Sequence, residues 1–406
     1  MLEPVTRRAR PTGGALALLL LSAVAGYLCI RLPPVAAALV VGAPLMLYAV
    51  ARPWVAAPVG VALVPVLHSL LGSEGGSVVV SPSDATLLLV ALGLFPLFLL
   101  VPEWRNRLAA LRPMVLFAAP WLAWLLVILA AHVSARVAFK TLTAAEVTVL
   151  PMLLGACVLS RRSASWALKG YLLAAGGLAV LWIAGGSSSF AGNKNAAGQH
   201  LAMALLLVVV FARGKLRGLI PVPLFLVGLL FASSRGAIVG AAFGGIALLA
   251  LRGLGSWRRT AITTAALSLI VLIGYNAVPA KVQARVQAIL SAQSSVSTSD
   301  SEIQQSTDYN LAIRKAYRTD ALRIIGQHPV LGVGTGNYHA GTGPTVSIDP
   351  HNVFLRTAAE GGFPDAAGFV FLLGGTGLLL VRRLGTNPWA GPAIALQVAT
   401  ITHAIV

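Results

Sequence analysis

The sequence predicts an all-α fold: a polytopic helical membrane protein of about 12–13 spans, with one long external loop that contains short helices. Three observations carry this. Of the 406 residues, 57% are hydrophobic and only 10% charged, against roughly a quarter charged in soluble domains. The apolar runs are about 17–20 residues long, which suits helical spans and not the ten-residue alternating strands of an outer-membrane barrel. The charges lie between the runs and are sorted by side.

Taken in order, apolar spans are read at about residues 14–30, 34–50, 54–71, 85–102, 113–131, 143–160, 170–184, 198–212, 218–232, 236–251, 260–277, 352–381 and 388–406. Arg31-Leu-Pro-Pro follows the first run where a signal peptide would carry a small-residue cleavage site. Span 352–381 is long enough to begin as a loop helix. The last run reaches Val406 without a polar tail, so the last span ends outside or the sequence is truncated. Cys29 and Cys157 both lie inside apolar runs, which indicates no disulfide framework.

The connections give the orientation. With Arg7, Arg8 and Arg10 at a cytoplasmic N-terminus, every second connection faces the cytoplasm. Those connections hold Arg52; Arg105, Arg107, Arg112; Arg161, Arg162, Lys169; Arg213, Lys215, Arg217; Arg252, Arg258, Arg259; and Arg382, Arg383. With the three N-terminal arginines they account for 18 of the 30 Lys and Arg, with only Glu3 and Glu103 as acids on that side. The net charge of +18 is therefore mostly positive-inside signal, and no nucleic-acid partner is expected. The protein is expected in the cytoplasmic (inner) membrane, bounded by membrane lipids.

The opposite, external face receives 72–84, 132–140, 185–199, the Ser233-Ser234-Arg235 turn and the long interval 278–351. All seven histidines (68, 132, 200, 328, 339, 351 and 403) fall on or near it. Three parts follow: a helical bundle over 1–277, an external catalytic loop over 278–351 and C-terminal membrane helices over 352–406. Within the loop, 278–290 has Val282, Val286 and Ile289 at helical spacing, as for a helix lying along the membrane surface. Residues 291–307 are rich in Ser and Gln. Thr307 or Asp308 caps a predicted helix running to Gly326, from which Arg314, Lys315, Arg318 and Arg323 project.

Several motifs bear chemistry, and each has two readings. Gly332-Val-Gly-Thr-Gly336 follows no strand, which argues against a nucleotide loop. It is either a turn whose backbone N–H groups approach an anion at Gly334 and Gly336, or a turn that simply needs unusual dihedrals. Arg235, at the mouth of a span, is a snorkelling interfacial arginine or a fork for bidentate phosphate binding. Arg314 has the same duality, between lipid headgroups and a second diphosphate clamp. Asn193, Lys194 and Asn195 are a solvated turn or hydrogen-bonding groups for sugar or phosphate. Asp84, after Ser-Pro-Ser, is an N-cap first and a catalytic carboxylate second. Arg136 and Lys140 are interface anchors or part of a basic acceptor site. His351-Asn352 is the sharpest candidate, because an imidazole of ordinary pKa near 6.5 can take a proton from a hydroxyl near neutral pH. The sequence has no Asp-X-Asp, no His-X-X-X-His and no close Cys/His cluster, so no metal and no cofactor is expected.

The order of these motifs resembles the O-antigen ligase/polymerase family. Ser234-Arg235-Gly236-Ala237 comes first, then Arg314 with Tyr317 and the run His328-Pro-Val-Leu-Gly-Val-Gly-Thr-Gly-Asn-Tyr338. His351-Asn352 follows, with Glu360 and Gly362 behind it; Asn193-Lys-Asn195 and Ser81-Pro-Ser-Asp84 are also similar to family features. One departure is Asp365, where the family commonly has a glycine; another is the number of spans before the long loop. The resemblance implies a GT-C-like membrane glycosyltransferase that moves a glycan from undecaprenyl diphosphate to an acceptor hydroxyl on lipid A–core, another repeat, a wall polymer or a protein. It implies His351 as general base or acceptor-orienting residue, and the transfer is expected to be inverting. Arg235 and Arg314 would hold the diphosphate and offset charge developing on the leaving group. The rival from another class is a transporter or lipid-linked glycan flippase, which predicts polar residues deep in spans and broken helices.

Overall fold

The computed structural model describes residues 61, 64–65, 100–156, 161–189, 194–212, 216–232, 234–252, 315–338 and 352–405. Among them the regular structure is helical: α1 Pro102–Ala109, α2 Arg112–Ala131, α3 Ala135–Ala156, α4 Arg161–Ser189, α5 Lys194–Ala212, a 3₁₀ turn Leu216–Leu219, α6 Val222–Ala232 and α7 Arg235–Arg252. Then come α8 over 315–327, α9 Val353–Arg382 and α10 Ala390–Ile405. Five of these are long and apolar enough to cross a membrane, namely Arg112–Ala131, Ala135–Ala156, Arg162–Ala184, Lys194–Ala212 and Val353–Arg382. The protein is thus an all-α, multi-pass membrane protein. Leu116, Leu126, Leu173, Ile246 and Phe371 are exposed on it, as expected where side chains face lipid.

Most predicted span ends agree with the helices, since each apolar run stops where charge begins. Three differ. The second described span starts at Ala135, not near 143, so Arg136 and Lys140 stand on the first turns of α3 and not in a loop. α4 starts at Arg161, not near 170, so Arg162 and Lys169 also ride on a helix. Residues 102–109, expected as connection, form α1, whose Arg107 lies over the Trp104 ring and pairs with Glu103 one turn away. The predicted first three spans, most of the fourth, the span over 260–277 and the surface helix over 278–290 lie outside the described residues.

α5 is the central post. It is buried nearly all round, with Leu201, Leu207 and Val208 packed between Tyr171, Leu178 and Trp182 of α4, Phe225 and Leu229 of α6, and Leu248 of α7. α7 and α10 make the most extensive helix pair among the described residues. Gly236, Gly240 and Gly244, spaced by four, form one face of α7 and let the backbones approach. A β-carbon at Gly240 would lie 2.5 Å from the Ala399 carbonyl oxygen, and one at Gly244 2.8 Å from that of Ala395. On the other side, α2 packs along α9, with Trp121, Leu125 and Ile128 against Phe369 and Leu372.

α9 is not one helix. Gly362 has φ 78° and ψ −179°, a conformation open to glycine, and Pro364 follows it without an N–H to continue the ladder. The first half, 353–361, packs with α8 and the loop 328–338 through Ile324, Ile325, Tyr338, Ala358 and Ala359. The second half, 363–382, runs about 30 Å at ~1.5 Å per residue, the thickness of a bilayer core. The predicted loop helix at the head of this span is the first half.

Candidate active site: a glycine loop clasping a broken helix

Breaking a helix strands the backbone groups on either side of the break, and buried strays are costly. Here each is met. Val333 N–H donates to Ala359 C=O at 3.1 Å, and Gly334 N–H donates to Glu360 C=O at 2.8 Å. Phe363 N–H donates to Pro329 C=O at 2.8 Å. The Gly361 carbonyl accepts the indole N–H of Trp124 on α2 at 2.8 Å. The loop can lie this close because Gly332 and Gly362 carry no side chain: a β-carbon at Gly362 would collide with the Val330 carbonyl, and one at Gly332 with the Glu360 carbonyl. Tyr338 ends the loop, its ring fully buried and its hydroxyl donating to Tyr317 C=O on α8 at 2.9 Å.

This geometry decides what the glycines do. The N–H groups of Gly332, Val333 and Gly334 are used on carbonyls of His328, Ala359 and Glu360. Of the two readings of the loop, these contacts favour the turn that needs unusual dihedrals: Gly334 has φ 93° and Gly336 φ 78°. Both also admit neighbours from other helices. A β-carbon at Gly334 would lie 3.1 Å from the His132 side chain, and one at Gly336 2.5 Å from the Lys140 stem.

Of the remaining candidates, Asn352 and Asn195 are linked by contacts at one end of the bundle. Asn352 caps α9, its Oδ1 accepting from Phe354 N–H and Leu355 N–H, both at 3.0 Å. Its Nδ2 reaches Ile405 C=O at the end of α10 at 3.4 Å. The end of α10 in turn meets the start of α7, where a β-carbon at Gly236 would lie 2.9 Å from His403 Nδ1. Ser234, just before α7, donates its hydroxyl to Asn195 Oδ1 at 3.2 Å. The starts of α5, α7 and α9 therefore share one end, and helix starts carry partial positive charge. Lys194 and Arg235 are the first residues of α5 and α7.

Glu360 is buried and accepts from Arg356 Nε at 3.0 Å, a pair one turn apart in the half-helix. Arg318 is exposed on α8 and does not join the cluster. His351 immediately precedes the Asn352 cap in the chain, but its own position lies outside the described residues, as do those of Arg314, Asn193 and Asp84. Two residues of the clasp escaped the sequence reading altogether. Trp124 holds the Gly361 carbonyl, and Trp121 donates to Asp365 Oδ1 at 2.7 Å. Both look like ordinary aromatics of an apolar run, and only their partners about 240 positions away distinguish them.

Residues 220–373 match the family model Wzy_C, O-antigen ligase. Over these residues the chain is similar to the O-antigen ligase family. The matched stretch runs from just before α6 into the second half of α9. It includes the Ser234 turn, α8, the glycine loop and the helix break, while α5 and the tryptophans of α2 stand outside it. No curated protein sequence matches the chain. That family is one of ligases of surface polysaccharide synthesis, whose substrates in general are a lipid-linked glycan and an acceptor.

Proposed function

We propose that the protein is an inverting, metal-independent glycosyltransferase acting outside the cytoplasmic membrane. It transfers a glycan from undecaprenyl diphosphate to an acceptor hydroxyl. The N-terminus is cytoplasmic, and the bundle end carrying Lys194, Arg235 and Asn352 is external. His351 takes the proton of the attacking hydroxyl as the acceptor oxygen bonds to the anomeric carbon. The bond from that carbon to the diphosphate oxygen breaks, and Arg235 and Arg314 offset the charge left on the diphosphate. The single observation that supports this best is the meeting of three helix starts at one end of the bundle. The positive dipole ends of α5, α7 and α9 come together there, and Lys194 and Arg235 are the first residues of two of those helices. The metal-independent part rests on the motifs of the sequence.

Losing a positioned base typically costs ~10²–10⁴-fold in rate. His351→Ala is therefore expected to remove glycan transfer while membrane insertion persists. The assay is product formation from a defined polyprenyl-diphosphate-linked donor. Near-normal transfer by the variant overturns the assignment.

A second reading, a transporter or lipid-linked glycan flippase, is favoured by the broken α9. In transporters the unwound backbone coordinates substrate; here it is spent on the chain's own loop. Translocation of a labelled lipid-linked glycan in vesicles without any transfer would select that reading.

A further inference from the structure

The two halves of α9 meet at Gly362, whose dihedrals are not helical, so something besides a continuous helix must set the angle between them. Two side chains of α2 are placed to do so. Trp124 Nε1 donates to the Gly361 carbonyl, one residue before the break, and Trp121 Nε1 donates to Asp365, three residues after it. The tryptophans are three apart, so they share a face of α2. Trp121 and Asp365 are both buried, and a β-carbon at Gly368 would lie 3.1 Å from the Trp121 backbone, which fixes how closely α2 and the second half approach. One rigid helix thus grips both sides of the break. The gripped half-helix has Asn352 as its cap, and His351 comes next in the chain.

We propose that Trp121 and Trp124 are positioning residues for glycan transfer. Through Asp365 and the Gly361 carbonyl they hold the half-helix that ends at His351-Asn352 at the angle the reaction needs. The inference rests on the reading of His351 as the base. It also accounts for a carboxylate at position 365, since a glycine there would leave Trp121 no side chain to grip.

The test compares Trp121→Phe, Trp124→Phe, Asp365→Asn and Asp365→Leu in the full-length membrane protein. Phenylalanine keeps an aromatic ring but loses the donor. Asparagine keeps an acceptor oxygen and leucine does not. Removing one such hydrogen bond is expected to lower kcat by about tenfold, with KM for the donor glycan lipid within about twofold. Asp365→Asn is expected to retain most of the wild-type kcat, and Asp365→Leu to fall with Trp121→Phe. Combining Trp121→Phe with Asp365→Leu is expected to cost little more than either alone, because they remove the same bond.

A kcat unchanged in both Trp variants overturns the inference, whatever His351→Ala does. Equal losses in Asp365→Asn and Asp365→Leu, or a fall in membrane-inserted protein that accounts for the lost rate, also overturn it. If His351→Ala is active while the Trp variants are impaired, the base assignment has failed. The grip then serves some other group, which also overturns the proposal as stated.

Discussion

The indole of Trp121 donates to Asp365 across 244 positions of chain, and both side chains are buried. A carboxylate inside a bundle is costly unless it is hydrogen-bonded. This contact therefore does two things at once: it satisfies Asp365, and it fixes α2 against the second half of α9. The contacts around it have measurable consequences of their own.

Gly362→Ala should destabilise the protein by about 2 kcal/mol or more. Alanine would have to adopt a positive φ and would also meet the Val330 carbonyl. Thermal unfolding in detergent measures this, and a melting temperature equal to wild type would show that the loop is not clasped on the break.

Tyr338→Phe removes the hydroxyl that donates to Tyr317 C=O while keeping the buried ring. The expected loss is about 1 kcal/mol, the net worth of one neutral hydrogen bond. The same melting assay reads it.

Asn352→Ala deletes a cap that serves two backbone N–H groups of α9. A loss of about 1 kcal/mol is expected, together with reduced transfer, since the substitution frees the residue next to His351. Asn352→Asp should restore most of both, because a carboxylate also accepts at a helix start.

Gly240→Leu should separate α7 from α10, as even a β-carbon there approaches the Ala399 carbonyl. Loss of folded protein from detergent extracts is expected. Phe243→Leu on the exposed side of the same helix should change stability by no more than about 0.5 kcal/mol.

Arg235→Lys should weaken binding of the diphosphate-linked donor by about tenfold. An ammonium keeps the charge but not the planar two-pronged geometry of a guanidinium. Donor binding to the purified protein tests this, and unchanged affinity would remove Arg235 from the diphosphate site.

The fold was legible where long apolar runs end abruptly in charge, as at Ala131, Ala212 and Ala232. It was misread where a helix carries charge in its opening turns: Arg136 and Lys140 look like loop residues but ride on α3. The site was half legible. His351-Asn352, Glu360 and the glycines stand out by type and spacing, but their duties depend on tertiary partners. Asn352 proves to be a cap, Glu360 the partner of Arg356, and Gly334 a donor to a stranded carbonyl. Trp121 and Trp124 carry no local mark at all, because a hydrogen bond to a distant helix leaves no periodicity behind.

The clasp also limits how a bulky lipid-borne sugar chain can arrive. Lifting residues 328–338 off the kink would expose at least three main-chain donors and acceptors at once, each costing roughly 1–3 kcal/mol away from water. That stretch is consequently a fixed wall and not a door. On the proposed function, cargo and product come and go around it, and any gate belongs to some other part of the rim.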